Sequence, residues 1–252
     1  MTSWVETGGH GLLRGRVVVV TAAAGTGIGG ATARRCAAEG AIVVISDIHE
    51  GRLAATAAEL GVLGVPCDVT ADGAFEELLD VAEAEHGPVD VLVNNAGLGG
   101  SETIVEMTDE QWMRVLDVSL TSAFRGTRAA LRRMMPRSRG AVVNVASVTG
   151  WRAEHGQAHY AAAKAGVMAL TRCAGVEAAA AGVRVNAVAP TLAMHPFLEK
   201  VGDREVLAGW ARQQPQQRAA DPSEIAGAIV FLASDYASYL TGEVMSVGAQ
   251  HP

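Results

Sequence analysis

Short apolar runs alternate with longer, Ala-rich stretches along nearly the whole chain. The runs at 16–21 (RVVVVT), 41–46 (AIVVIS), 63–67 (LGVPC), 90–95 (DVLVNN), 140–147 (GAVVNVAS) and 183–189 (VRVNAVA) are close to continuously apolar. A strand covered on both faces reads this way, whereas a half-exposed strand alternates. A further run at 242–247 (GEVMSV) predicts a last strand. Between the runs, near 27–39, 50–60, 72–86, 108–135 and 158–181, apolar positions recur every three to four residues, the period of a helix packed on one side. Asp72 and Thr108 stand where N-caps belong. This alternation predicts an α/β fold: a doubly wound parallel sheet in a three-layer sandwich, with ligands bound at the carboxyl ends of its strands.

Composition narrows the picture. At 252 residues, 49% apolar and 19% charged, the chain suits one large domain with a sizeable core. Residues 1–11, rich in Gly, read as a surface leader, and 12–252 as the domain, with a substrate lid at about 191–215. Twenty Lys and Arg against 27 Asp and Glu give a net charge of −7, the wrong balance for nonspecific nucleic-acid binding. Cys36, Cys67 and Cys173 lie far apart, as reduced and mostly buried thiols of a cytoplasmic protein do. The apolar run 17–25 is about half of the ~20 residues a bilayer requires, and no signal peptide is evident, so no membrane partner is expected. No His, Cys, Asp and Glu cluster has metal-ligand spacing, so no catalytic metal is expected.

The first strand runs into Ala22-Ala23-Ala24-Gly25-Thr26-Gly27-Ile28-Gly29, and a helix follows. Glycines permit a tight turn and close approach to a pyrophosphate, and the helix N-terminus offers free N–H groups. Strand before and helix after give the triplet the context of a Rossmann-type dinucleotide loop; a glycine-rich turn without function is the alternative. Asp47 ends the second strand, 18 residues past Gly29. An acid there accepts hydrogen bonds from the adenosine ribose hydroxyls and repels a 2′-phosphate. The expected cofactor is therefore NAD, with NADP the less favoured choice, although Arg52 is not far off. For Asp47 the alternative role is a helix cap. Asp68, after the third strand, either faces the adenine or caps.

Ser147 ends the strand GAVVNVAS, Tyr160 follows 13 residues on, and Lys164 four further. Positions i and i+4 share one helix face, so the phenol and the ammonium point at one place, near the strand end carrying Ser147. Moving a hydride at a carbinol carbon requires moving a proton at its oxygen. A free phenol, with pKa ~10, needs roughly 4 kcal/mol of preferential phenolate stabilisation to act as a base near pH 7. A neighbouring ammonium and a positive nicotinamide ring supply that in a poorly solvated site. Ser147 hydrogen-bonds the substrate oxygen.

Over nearly the whole chain, from about residue 12, these residues resemble the short-chain dehydrogenase/reductase family. Asn94-Asn95-Ala96-Gly97 after the fourth strand is similar to the family run that lines the adenosine side of the cofactor cleft. The stretch ending at Pro190 looks like the segment that closes over the nicotinamide. The resemblance thus adds Val69, Asn95, Ala96, Gly97 and Pro190 to the coenzyme contacts, with Tyr160 and Lys164. TGEVMSVGAQ (241–250) resembles the last strand that usually helps build a homotetramer. Three departures stand out. The glycine loop TAAAGTGIG is one residue longer than TGxxxGIG. Ser119, in DVSLTS, replaces an Asn that helps hold a proton-relaying water; it is carried as a fourth catalytic candidate. Thr191 follows Pro190 where Gly is usual, and His195 replaces a nicotinamide-contacting Thr. The runs TAAAGTGIG, DVSLTS, ASVTGWRAEHGQAHYAAAKAG, AMHPF and QHP further resemble an actinobacterial branch linked to steroid catabolism, in which a hydroxyl on remnant C and D rings, carried as a CoA thioester, is oxidised.

The expected activity is NAD-dependent interconversion of a secondary alcohol and a ketone, on a CoA-linked substrate. A 3-oxoacyl thioester reductase is the alternative, and a silent NAD-sensing scaffold the remote one. Among remaining residues, His159 reads as surface or packing, while Arg152 and His155 sit on a loop that can border substrate. Arg125, Arg128, Arg132, Arg133, Arg137 and Arg139 read as a solvated face or subunit contact, with CoA phosphate binding the other option. Met107, Met113, Met134 and Met135 read as core or interface.

Overall fold

The computed structural model describes residues 9–194 and 204–248. Seven strands form one parallel sheet: β1 (Val17–Val20), β2 (Ile42–Asp47), β3 (Leu63–Pro66), β4 (Val91–Asn94), β5 (Gly140–Val145), β6 (Val183–Pro190) and β7 (Val244–Val247), in the order β3-β2-β1-β4-β5-β6-β7. The direction of winding reverses between β1 and β4, which pair in register from Val18↔Val91 to Val20↔Val93. The carboxyl ends of those two strands therefore splay their following loops apart and leave a crevice.

All four valines of β1 are buried, as the unbroken apolar run requires. Val18 and Val20 pack on one face with helices α1 (Ile28–Ala38), α2 (Glu50–Leu60) and α8 (Pro222–Ala233). Val17 and Val19 pack on the other with α3 (Ala74–His86), α5 (Ser122–Met134) and α6 (Ala158–Ala179). Fully burying a valine contributes ~1.5–3 kcal/mol, so this two-sided burial anchors the strand that carries the glycine loop. Helix α4 (Asp109–Leu116) precedes α5, and α7 (Arg204–Gln213) precedes α8.

Several local expectations change. The run 108–135 is not one helix: a π-turn at Asp117–Thr121 separates α4 from α5. Thr108 caps α4 in a capping box with Gln111, but Asp72 does not cap α3. Gly73 is the N-cap in a left-handed conformation, and the Asp72 carboxylate instead pairs with Arg125 at 2.9 Å. Helices α7 and α8 had no counterpart in the periodicity. Cys173 is exposed, against the expectation of mostly buried thiols; burial pushes the Cys36 thiol up to about 12 and Cys67 to about 11, so both are protonated and inert. Met134 is core, whereas Met113 is exposed. The basic run is largely matched by acids in or beside α3: Arg125 by Asp72, Arg132 by Glu76, and Arg133 by Asp80 and Glu83.

Candidate active site

The crevice is built by polar residues that end apolar strands. Thr21, just past β1, donates its hydroxyl to Val93 O (3.3 Å) and accepts from Asn95 N (3.0 Å). Asn95 donates its side-chain amide to both Thr21 O and Ala22 O, each at 3.0 Å. Those bonds hold Ala22 at φ 50°, a left-handed conformation that costs a non-Gly residue about 1 kcal/mol. A second amide chain runs deeper: Asn94 Nδ2 donates to Asn144 Oδ1 (2.9 Å), and Asn144 Nδ2 to Thr171 on α6 (3.0 Å). It fixes β4, β5 and α6 to one another.

The glycine loop lies over this crevice and suits a dinucleotide. Gly27 is the N-cap of α1, with no side-chain cap and no acid in the first helical turn, so the leading N–H groups and the positive dipole end face outward. Open space lies beside Gly25 and Gly27 where a side chain would stand. Asp47 is buried at the end of β2, accepting from Ala24 N at 3.1 Å and from His49 N at 2.9 Å. A carboxylate has about four acceptor positions, so two remain for ribose hydroxyls. His49, not Asp47, caps α2. Arg52 Nη2 is 3.8 Å from Asp47 Oδ1. Asp68 accepts from Thr70 N and Oγ1 at 2.9 and 2.7 Å, a local turn before α3, with Val69 half-buried beside it.

Ser147, Tyr160 and Lys164 converge. Ser147 follows β5 in extended conformation and accepts from Thr149 N (3.2 Å). Burial, and with it the charge of Glu154, raises the pKa of the Tyr160 phenol, which the neighbouring Ser147 hydroxyl pulls the other way; Ser147 Oγ itself donates to Thr149 Oγ1 at 3.2 Å. Lys164 is buried, donates to Val145 O at 2.7 Å, and lies 5.6 Å from the Tyr160 ring centroid. Burial pushes its ammonium down to about 8. A Cβ on Gly97 would sit 3.1 Å from Lys164 Nζ, which places the lysine against the loop after β4. A hydroxyl, a phenol and an ammonium are thus gathered near the glycine loop, an arrangement able to move a proton at an oxygen while a hydride moves at its carbon.

Comparison with known proteins agrees with that chemistry. A family model described as enoyl-(acyl carrier protein) reductase matches residues 22–249. A crystal structure of a short chain dehydrogenase from Mycobacterium smegmatis matches with a TM-score of 0.87 and 53% identity, covering 99% of this chain and 98% of that one. The chain belongs to the short-chain dehydrogenase/reductase family. As a short-chain dehydrogenase/reductase it is an oxidoreductase that interconverts alcohols and ketones with a nicotinamide coenzyme. The Mycobacterium tuberculosis protein named (5R,7aS)-5-hydroxy-7a-methyl-1-oxo-2,3,5,6,7,7a-hexahydro-1H-indene-carboxyl-CoA reductase is 62% identical, over 98% of this chain and 97% of its own length. The cis-4-hydroxycyclohexanecarboxylate dehydrogenase of Sinomonas cyclohexanicum is 44% identical, over 92% of this chain and 94% of its own. The resemblance to an actinobacterial steroid-catabolic branch agrees with the first of these.

Within this short-chain dehydrogenase/reductase, the departures from the family pattern have visible structural consequences. Ser119 is buried in the π-turn; its hydroxyl donates to Leu98 O (3.1 Å) and accepts from Leu98 N (2.9 Å). Its one proton is therefore committed to the backbone. His159 is buried, with Nε2 3.0 Å from where a Cβ on Gly100 would stand, so it packs inside and does not lie on the surface. Pro190 is buried at the end of β6, in register with Val247. His195 and most of AMHPF and QHP lie outside the described residues, as does 195–203 of the expected lid. Thr21, Asn144 and Thr171 were not singled out by sequence. Their signal was polarity inside or directly after an apolar run.

Proposed function

We propose that this enzyme uses NAD to interconvert a ring secondary alcohol and its ketone on a carboxylic acid carried as a CoA thioester. The observation that carries the reading is the meeting of Ser147, Tyr160 and Lys164 beside Gly97, next to the glycine loop. The names of both relatives describe a hydroxylated ring carboxylate or its CoA thioester, which supports the substrate class. Gly25, Thr26, Gly27, Ile28 and Gly29 hold the pyrophosphate, Asp47 the ribose, and Asp68, Val69, Asn95, Ala96 and Gly97 the adenosine side, with Pro190 at the nicotinamide. A nicotinamide coenzyme held there would supply hydride exchange at the carbinol carbon. Ser147 hydrogen-bonds the substrate oxygen. Tyr160 takes the hydroxyl proton in oxidation and returns one in reduction. Lys164 stabilises the phenolate by its charge and holds the coenzyme ribose. Ser119 anchors Leu98 and so keeps Gly97 against Lys164.

A cytoplasmic homotetramer completes the proposal. Among the described residues no helix is long and apolar enough to cross a membrane. A cleft of about 390 Å³ between α5 and α6, lined by Phe124, Leu131, Met135 and Leu170, supports subunit contact. It shares no residue with the proposed reaction site.

The deciding test is a dehydrogenase screen with NAD and NADP over CoA-linked hydroxylated bicyclic carboxylates, hydroxyacyl-CoAs and simple alcohols. Turnover restricted to straight-chain 3-oxoacyl thioesters with NADPH would establish the rival reductase reading instead. Within that screen, Asp47→Ser removes a charged acceptor of the ribose and lets Arg52 face a 2′-phosphate. It is expected to weaken NAD binding about 10–100-fold and to narrow the preference for NAD over NADP, read from the two coenzymes' Kd values.

A further inference from the structure

We infer that Thr56 and Arg34 are positioning residues for the dinucleotide, setting the shape of the glycine loop by holding both peptide groups of Gly25. This rests on reading that loop as the coenzyme cradle. Thr56 sits inside the Ala-rich helix α2, in Leu53-Ala54-Ala55-Thr56-Ala57-Ala58, and is buried. A threonine is a poorer helix former than alanine, and a buried hydroxyl needs a partner. Its Oγ1 accepts from Gly25 N at 3.0 Å, 31 residues away in the chain.

The carbonyl of the same residue is held from the other side. Arg34, on α1, donates Nη1 to Gly25 O at 3.0 Å. Its guanidinium is fixed by two further bonds from Nη2 to Glu59 on α2, at 2.8 and 3.0 Å. Asp47 holds Ala24 N next door. The loop is therefore held at two successive residues, Ala24 from the end of β2 and Gly25 from α2 and α1, and Gly25 keeps φ 96°, a conformation only glycine adopts without strain. The loop as a whole is one residue longer than the family pattern. That length is not slack at Gly25, whose N–H and carbonyl are both tied down, and the N–H groups left for phosphate are those from Thr26 onward into α1.

Titration of the purified enzyme with NADH, followed by tryptophan quenching, tests this beside steady-state kinetics and thermal unfolding. Thr56→Val keeps the shape but strands the Gly25 N–H, and is expected to raise the NADH Kd and the coenzyme KM about tenfold, with the loss falling on KM rather than kcat. Thr56→Ser restores the acceptor and should return the Kd to within about twofold of the parent. A valine variant that binds NADH as the parent does, or a serine variant no better than valine, overturns the inference. Arg34→Met provides a second arm if Thr56→Val fails to fold. It is expected to weaken NADH severalfold, and unaltered binding overturns the inference equally. Failure of the parent enzyme to bind NADH at all removes the cradle reading, and this inference with it.

Discussion

Tyr160→Phe is expected to lower kcat by ~10²–10⁴, equivalent to about 3–5 kcal/mol of transition-state stabilisation, while NADH binding stays near that of the parent. The substitution keeps the ring and deletes only the phenolic oxygen next to Ser147. The pH dependence carries its own sign. Burial, the largest influence, raises the phenol's pKa, so it is protonated at neutral pH in the coenzyme-free protein. A protonated phenol is the form that donates to a ketone, whereas oxidation needs the phenolate. Oxidation should therefore rise with pH until the phenol has ionised, while reduction holds level through neutral pH and falls at high pH. Parent-like turnover in the phenylalanine variant would leave the proton transfer without an agent.

The second large effect is a stability gained where activity is lost. Lys164→Met removes an ammonium that burial depresses from 10.5 to about 8. At ~1.36 kcal/mol per pH unit, that depression corresponds to about 3 kcal/mol of destabilisation at neutral pH. Below pH 8 both folded and unfolded chains hold the proton and the fold bears the whole cost. Between about 8 and 10.5 the unfolded chain binds more protons, so stability rises with pH until the cost is gone. Against this stands the hydrogen bond from Lys164 to Val145 O, whose loss leaves a carbonyl unpaired at about 1–3 kcal/mol. The net expectation at pH 7 is a coenzyme-free variant at least as stable as the parent in denaturant unfolding, losing about 10–10³ in kcat because the phenolate has lost its neighbouring charge. A parent enzyme whose stability does not climb between pH 8 and 10 relative to the methionine variant would contradict the depressed ammonium.

The strands were legible because both faces of the sheet are covered, which leaves unbroken apolar runs such as Val17–Val20. The same criterion hid α8. Its sequence, PSEIAGAIVFLA, is apolar nearly all round, so no helical stripe contrasts with a polar face. Its capping box of Asp221 and Glu224, with Pro222 at the first turn, was the readable signal. The π-turn at Asp117–Thr121 leaves no mark on the periodicity, because one extra residue per turn shifts a stripe by less than the scatter of the pattern. Asp72 looked like a cap and is an ion-pair partner: glycine at 73 took the N-cap position in a left-handed conformation. At the site, Ser147, Tyr160 and Lys164 declare themselves by spacing, since the i, i+4 relation is local. Thr56 does not, because it meets Gly25 across 31 residues only in the assembled structure, and Arg34, nine residues on, carries no spacing signature that points back to the loop.

The reversal between β1 and β4 also bears on how the enzyme comes into being. Thr21 and Asn95 meet across 74 residues, at the junction of the half-sheet β3-β2-β1 and the half that begins with β4. Contacts of such long separation close late, since loop entropy is lost before they reward it. Nucleotide capture is thus a late event in folding, and coenzyme added to a refolding chain stabilises only molecules whose two halves have already joined.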